Sequence, residues 1–233
     1  MSLLDDPAAL QELFDHLKLF EGDVPHFYFD SENLITIAIG ELVDRRNVVL
    51  ALRRAVAVTF AHAWHAHFLY AGASIATAAH VLADWDQVAA LPLGSRSRAM
   101  CQSKCQCRLP TFAARKAIAL RKVTTFYNAL VATPRAFMAG YHAKIQMALV
   151  DTRYNPGIPM YESSGDIGRM WNALNPSHAL YDPLHARDIF ARIWRGVKSG
   201  SQRYQNRVSW RLARFDEGLA HGAATRTPVW QTH

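Results

Sequence analysis

The chain has 233 residues, half of them hydrophobic and 19% charged, with 26 Lys and Arg against 19 Asp and Glu for a net charge of +7. Such a composition excludes a disordered or fibrous chain and leaves room for one large domain or two small lobes, each with a core. Three cysteines within seven positions, Cys101, Cys105 and Cys107, exclude a disulfide-dense scaffold. Apolar runs broken every few residues by Arg or His fall short of the ~18 positions a membrane span needs.

The charge is unevenly placed. Residues 1–44 hold ten acids and one base, Lys18, for a net −9, which leaves +16 on residues 45–233. Asp5 and Asp6 stand where a secretory signal would carry bases, so no signal peptide is expected.

In chain order, a first helix is expected from Pro7 to Phe20. Asp6 caps it, Pro7 suits its first turn, and Leu10, Leu13, Phe14, Leu17 and Phe20 recur at spacings of three and four. Gly22 stops it and leaves Glu21 at the C-terminal end. Residues 24–40 read as a β-hairpin, with Phe27-Tyr28-Phe29 and Leu34-Ile35-Thr36-Ile37-Ala38-Ile39-Gly40 around the polar turn Asp30-Ser31-Glu32-Asn33 and room for a third short strand. Helices follow near 45–71, 74–90, 111–130, 134–150, 164–174, 183–199 and 203–220. Residues 91–110 read as a loop insertion and 221–233 as a tail. The expected class is α+β, mostly helical: a single domain, 1–233, with a β-lobe at 22–44 and a helical lobe formed by 1–21 and 45–220.

Two carboxylates stand out by position. Glu21 ends a helix whose apolar face is buried, and Asp30 sits nine residues later at the hairpin turn. Partial burial, the negative end of the helix and the surrounding acids all disfavour ionisation of Glu21, as a general acid near neutral pH requires. Asp30, at a polar turn, stays ionised and is placed to activate a water that the Thr36 hydroxyl could help hold. Paired carboxylates in unequal environments suit acid/base cleavage of a glycosidic bond.

At these residues the sequence resembles the phage-type lysozymes, including muramidase domains of bacteriocins and secreted antibacterial effectors. The resemblance rests on Phe20-Glu21-Gly22, Tyr28-Phe29-Asp30 and Thr36-Ile37-Ala38-Ile39-Gly40, with Asp nine positions after Glu and Thr six after Asp. It is strong from Glu21 to Thr36 and thinner at two later segments. Ala148 to Gly157, containing Asn155, looks like the family's Phe-Asn-x-Gly segment, and Val208 to Gly218 looks like its Arg-rich closing helix. There are two departures. Ala38 stands where Gly is usual, which would narrow the cleft floor, and Glu41 replaces a His that often follows the last Gly.

The resemblance implies a lysozyme-like fold and a peptidoglycan hydrolase that cleaves the β-1,4 bond between N-acetylmuramic acid and N-acetylglucosamine with inversion. Glu21 would protonate the leaving oxygen, and Asp30 with Thr36 would deprotonate the attacking water. Arg211 would orient Glu21, with Arg207 and Arg214 as alternatives, and Tyr28 and Asn155 would bind or orient substrate. No metal or organic cofactor is implied, and no membrane insertion. The enzyme would act on the bacterial cell wall in the periplasm, as an antibacterial toxin effector or a phage lysis enzyme. A holin, a secretion machine or a larger parent protein would deliver it, and an immunity protein could plug its cleft.

Other patterns carry less. His62, His65 and His67 lack a nearby carboxylate or Cys that would complete a metal site. The cysteines have no zinc spacing and read either as a local disulfide or as free loop thiols. Trp64, Trp85, Trp171, Trp194 and Trp210 read as core, with one available to line a sugar cleft. A pI near 9.5 invites a competing nucleic-acid or polyanion binder, although no motif for one accompanies it, and a third reading is a lysozyme-like domain that binds glycan without cutting it.

Overall fold

A computed structural model describes residues 2–45, 47–154, 164–195 and 202–225. The described chain is mostly helical with two small antiparallel sheets, as the α+β expectation requires. Among the described residues no helix is long and apolar enough to cross a membrane. The contacts group the chain into two compact units, one of residues 17–122 and one of residues 1–16 with 123–233. The smaller lobe is therefore not the 22–44 segment of the sequence reading, because helices that follow the hairpin pack onto it.

Helix α1, Pro7–Glu21, starts as expected, with the Ala9 N–H donating to Asp6 Oδ1 at 3.0 Å, and buries Leu13, Phe14 and Leu17 completely. Strands β1 (Val24–Phe29), β2 (Ile35–Ala38) and β3 (Glu41–Leu42) form the first sheet in sequential order. The register pairs Val24 with Ala38, Tyr28 with Thr36 and Phe29 with Ile35, with an irregularity between the first two pairs.

In this unit α2 (Leu50–Trp64) and α3 (Ala78–Ala89) pack together, and α3 also lies on β1 and β2. Trp85 of α3 is buried and donates its indole N–H to the Val43 carbonyl at 2.9 Å, which fastens the helix beside the sheet. The expected helix near 45–71 is shorter, because Leu69–Tyr70 (β4) pairs with Ser74–Ile75 (β5), and Ala71 and Gly72 turn the hairpin through φ of 48° and 75°.

The 91–110 stretch is not a loop insertion. It forms helix α4 (Arg98–Lys104), which packs on β1, and strand β6 (Cys107–Arg108), which pairs with β4. All three cysteines are free and buried in the core of this unit. The thiols of Cys105 and Cys107 are pushed up to about 12, by burial first and then by the charge of Asp84. Asp84 is itself buried and accepts the backbone N–H groups of Gln106 at 3.0 Å and Cys107 at 2.6 Å, so it anchors the whole segment. Thiols this protonated and enclosed are inert packing groups rather than exposed loop nucleophiles. Helix α5, Phe112–Val131, begins in this unit and continues into the other.

The other unit is built around α6 (Ala143–Tyr154), which is buried on nearly every face and packs against α9 (Gln202–Thr225). The expected helix at 134–150 breaks instead into a short turn at Ala136–Gly140 and α6. Helices α7 (Gly165–Leu174) and α8 (Pro183–Arg195) pack together, and α8 also rests on α9. The expected tail begins later than residue 221, since α9 runs to Thr225, and residues beyond it lie outside those described.

Candidate active site

Glu21, Asp30 and Thr36 all belong to the unit of residues 17–122. Gly22 ends α1 by adopting φ +89°, a conformation that costs a side-chain-bearing residue about 1–2 kcal/mol, and its N–H donates to the Lys18 carbonyl at 3.0 Å. This stop leaves the half-buried Glu21 side chain at the corner between helix and hairpin. Gly40, at φ +70°, lies directly against it. A Cβ there would sit 3.1 Å from Glu21 Cβ and Cγ and 3.2 Å from Oε2, so any side chain at position 40 would displace the carboxylate. Lys122 donates to the Gly40 carbonyl at 2.6 Å and holds that turn from the other side.

The hairpin supplies the second half of the site. Tyr28 and Thr36 face each other across the strands, and Asp30 lies two residues beyond Tyr28, so alternation puts the three on one face. Asp30 Oδ1 accepts the N–H groups of Glu32 at 2.8 Å and Leu34 at 3.0 Å, which fixes the carboxylate in the turn. Asp30 Oδ2 accepts the Thr36 hydroxyl at 3.2 Å. The carboxylate thus has one oxygen held by the turn and the other turned to the Thr36 hydroxyl.

Tyr28 links the two acids. It is buried, its hydroxyl donates to the Glu21 carbonyl at 3.5 Å, and burial pushes its phenol up to about 12. The charge of Arg98 acts against that rise, while those of Glu21 and Asp30 add to it, so one phenol feels both carboxylates. Tyr28 therefore remains a neutral hydrogen-bond donor at any working pH. At 3% exposure its ring presents almost no surface to solvent.

The two departures from the family pattern have structural outcomes. Ala38 adopts φ 55°, a left-handed conformation, and is fully buried, so its methyl belongs to the core. Glu41 is buried and accepts a hydrogen bond from Arg121.

Arg211, expected to orient Glu21, forms its described hydrogen bonds with Asp151. Its Nε donates to Asp151 Oδ2 at 2.5 Å and its Nη2 to the Asp151 carbonyl at 3.1 Å, while its guanidinium lies 4.2 Å from the centre of the Trp194 ring. Arg207, the first alternative, forms a two-pronged pair with the same carboxylate at 2.6 and 3.0 Å, and Arg214, the second, pairs with Glu12 and Glu217. These three arginines thus pair with acids of their own unit. Burial opposes ionisation of Asp151, but Arg211 and Arg207 outweigh it and hold the carboxyl far below its usual range. Asn155 lies outside the described residues. Of the expected core tryptophans, Trp85, Trp171 and Trp194 are buried, and Trp64 and Trp210 are half-buried.

A cation at the Glu21–Gly22 corner comes from the segment read as an insertion. Arg98 of α4 stacks over the Tyr28 ring, 5.0 Å from its centre, and a Cβ on Gly22 would meet its Nη2 at 3.4 Å. Arg96 lies 4.2 Å from the centre of the neighbouring Phe29 ring. The only sequence signal for them was the recurrence of bases through 96–122, which does not say where those bases fold.

Two buried histidines make stability depend on pH. His16, whose Nε2 lies 3.5 Å from Asp151 Oδ2 and which stacks on Trp210, and His26, near Arg108 and Arg98, are both held below the ordinary 6.5, by burial first. The unfolded chain takes up protons near pH 6.5 that the folded chain refuses, so their contribution is complete above that pH and shrinks as the pH falls. The urea midpoint is expected to be lower at pH 5.5 than at pH 7.5. An equal or higher midpoint at pH 5.5 would contradict this account.

No protein-family model matches the chain, and neither does any curated protein.

Proposed function

We propose that this chain is a muramidase with a lysozyme-like fold, a glycoside hydrolase that cuts the N-acetylmuramic acid to N-acetylglucosamine β-1,4 bond of peptidoglycan with inversion. The observation that carries the reading is the Asp30–Thr36 hydrogen bond of 3.2 Å, on a hairpin face that Tyr28 ties to the Glu21 corner. The first helix, its Gly stop and the following hairpin also stand in the order that the lysozyme resemblance calls for.

In this mechanism Glu21 gives its proton to the glycosidic oxygen as that bond breaks. A water on the opposite face of the sugar donates one proton to Asp30 Oδ2 and attacks the anomeric carbon. Thr36, whose hydroxyl hydrogen is shared between Asp30 Oδ2 and the Leu34 carbonyl, accepts from that water through an oxygen lone pair. The basic remainder of the chain, +16 over residues 45–233, draws the enzyme to an anionic wall, and the biological setting is bacterial lysis by an effector or a phage product.

Mass spectrometry of purified peptidoglycan digested by the wild-type chain tests this. Soluble muropeptides ending in reducing N-acetylmuramic acid are expected. An absence of soluble fragments would remove the muramidase reading, and 1,6-anhydro ends would replace hydrolysis with transglycosylation.

A further inference from the structure

Arg98 is placed as a binding group and left unused. It is exposed, and among the described residues it makes no hydrogen bond and no ion pair. Yet its guanidinium is not adrift, because the Tyr28 ring holds one face and the Glu21–Gly22 corner flanks it. Stacking fixes a guanidinium through its face and leaves the in-plane N–H fork open. That fork matches a carboxylate in a two-pronged pair. The acids that act on the same phenol, Glu21 and Asp30, do not close on it: Glu21 packs on Gly40, and Asp30 is engaged by the turn and by Thr36.

We infer that Arg98 receives a carboxylate of the substrate, from the stem peptide carried by the N-acetylmuramic acid next to the bond being cut. This inference rests on the muramidase reading and deepens it, assigning to segment 91–110 a part in substrate choice. Arg96, on the adjoining ring with its Nε on the Leu91 carbonyl at 3.2 Å, adds a second positive charge to the same approach. A substrate aligned through this contact brings its scissile bond to Glu21 with the anionic substituent already neutralised.

The test compares kcat/KM for release of soluble muropeptides from native wall and from wall whose carboxylates have been coupled to a neutral amine with carbodiimide. The wild type is expected to prefer native wall by about tenfold, the scale of one charge-assisted pair at a partly exposed site. Arg98→Gln is expected to cut both walls at the wild-type rate for the neutralised one, and Arg98→Lys to recover part of the preference. Lys104→Gln, the same charge change on the same helix, should keep the full preference. Equal losses for Lys104→Gln and Arg98→Gln would reduce the effect to overall charge and overturn the inference. So would an Arg98→Gln enzyme that keeps the preference or that slows equally on both walls. A wild type that cuts both walls without preference overturns this inference alone, whereas one that cuts neither removes the muramidase reading beneath it.

Discussion

Glu21→Gln is expected to lower wall hydrolysis by about 10²–10⁴-fold, the range for loss of a positioned general acid. The amide has the shape of the carboxyl group and fits the same corner against Gly40, but it has no acidic proton to give the leaving oxygen. Asp30→Asn should fall into the same range by a different route. The asparagine carbonyl can still accept from Glu32 and Leu34, so the turn persists. Its amide, however, replaces the oxygen that accepts from Thr36 and would accept the proton of the water. Thr36→Val keeps a branched strand residue and removes only the hydroxyl, so its smaller loss, set beside a nearly unchanged Thr36→Ser, measures the water-holding role. Circular dichroism of each variant should match the wild type. A Glu21→Gln enzyme that releases muropeptides at the wild-type rate would exclude Glu21 as the acid.

Asp151→Asn is expected to cost about 3–5 kcal/mol of stability, the scale for breaking a buried ion pair on one side. Asp151 and Arg211 are fully buried and Arg207 is 3% exposed, so the two guanidiniums have almost no water to turn to when the counter-charge is lost. Three polar contacts from the two arginines to the carboxylate and one to its backbone carbonyl satisfy the group that burial would otherwise penalise. Replacing all three charges together, as Asp151→Leu with Arg207→Met and Arg211→Met, should recover much of the loss, since an apolar substitute of similar volume removes the desolvation cost along with the attraction. Urea unfolding of the single and triple variants decides the point. An Asp151→Asn midpoint equal to wild type would mean that the arginines find other partners. Because Asp151 titrates far below the ordinary carboxylate range, its contribution is fully present above about pH 4 and is lost only in stronger acid. The loss between pH 7.5 and 5.5 is therefore assigned to the histidines and should persist in the triple variant through His26.

The local part of the site was legible because short-range rules set it. Asp6 and Pro7 start a helix, Gly22 stops it, and a polar turn between β-branched and aromatic runs makes a hairpin, so the intervals from Glu21 to Asp30 and from Asp30 to Thr36 become geometry without help from distant residues. The third strand, allowed but not placed by the sequence, lies at Glu41–Leu42. Long-range pairings were not legible in the same way. Arg211 lies on the expected helix, but a guanidinium pairs with the carboxylate that is desolvated beside it, and which carboxylate that is depends on α6 packing against α9.

Segment 91–110 misled for a related reason. Its Pro, Gly and Ser cluster is a true loop signal, but Asp84, more than twenty residues upstream, captures its backbone N–H groups and draws the cysteines into the core. No periodicity within the segment encodes that capture. By itself the sequence determined the acidic head with Glu21, Asp30 and Thr36 at their stations, through backbone preferences that act over a few residues. Only the tertiary structure decided which cation stands over Tyr28 at the Glu21–Gly22 corner. That choice turned on which helix covers β1, and it fell to Arg98 of α4 because burial and packing, unlike turns and caps, join residues without regard to their separation along the chain.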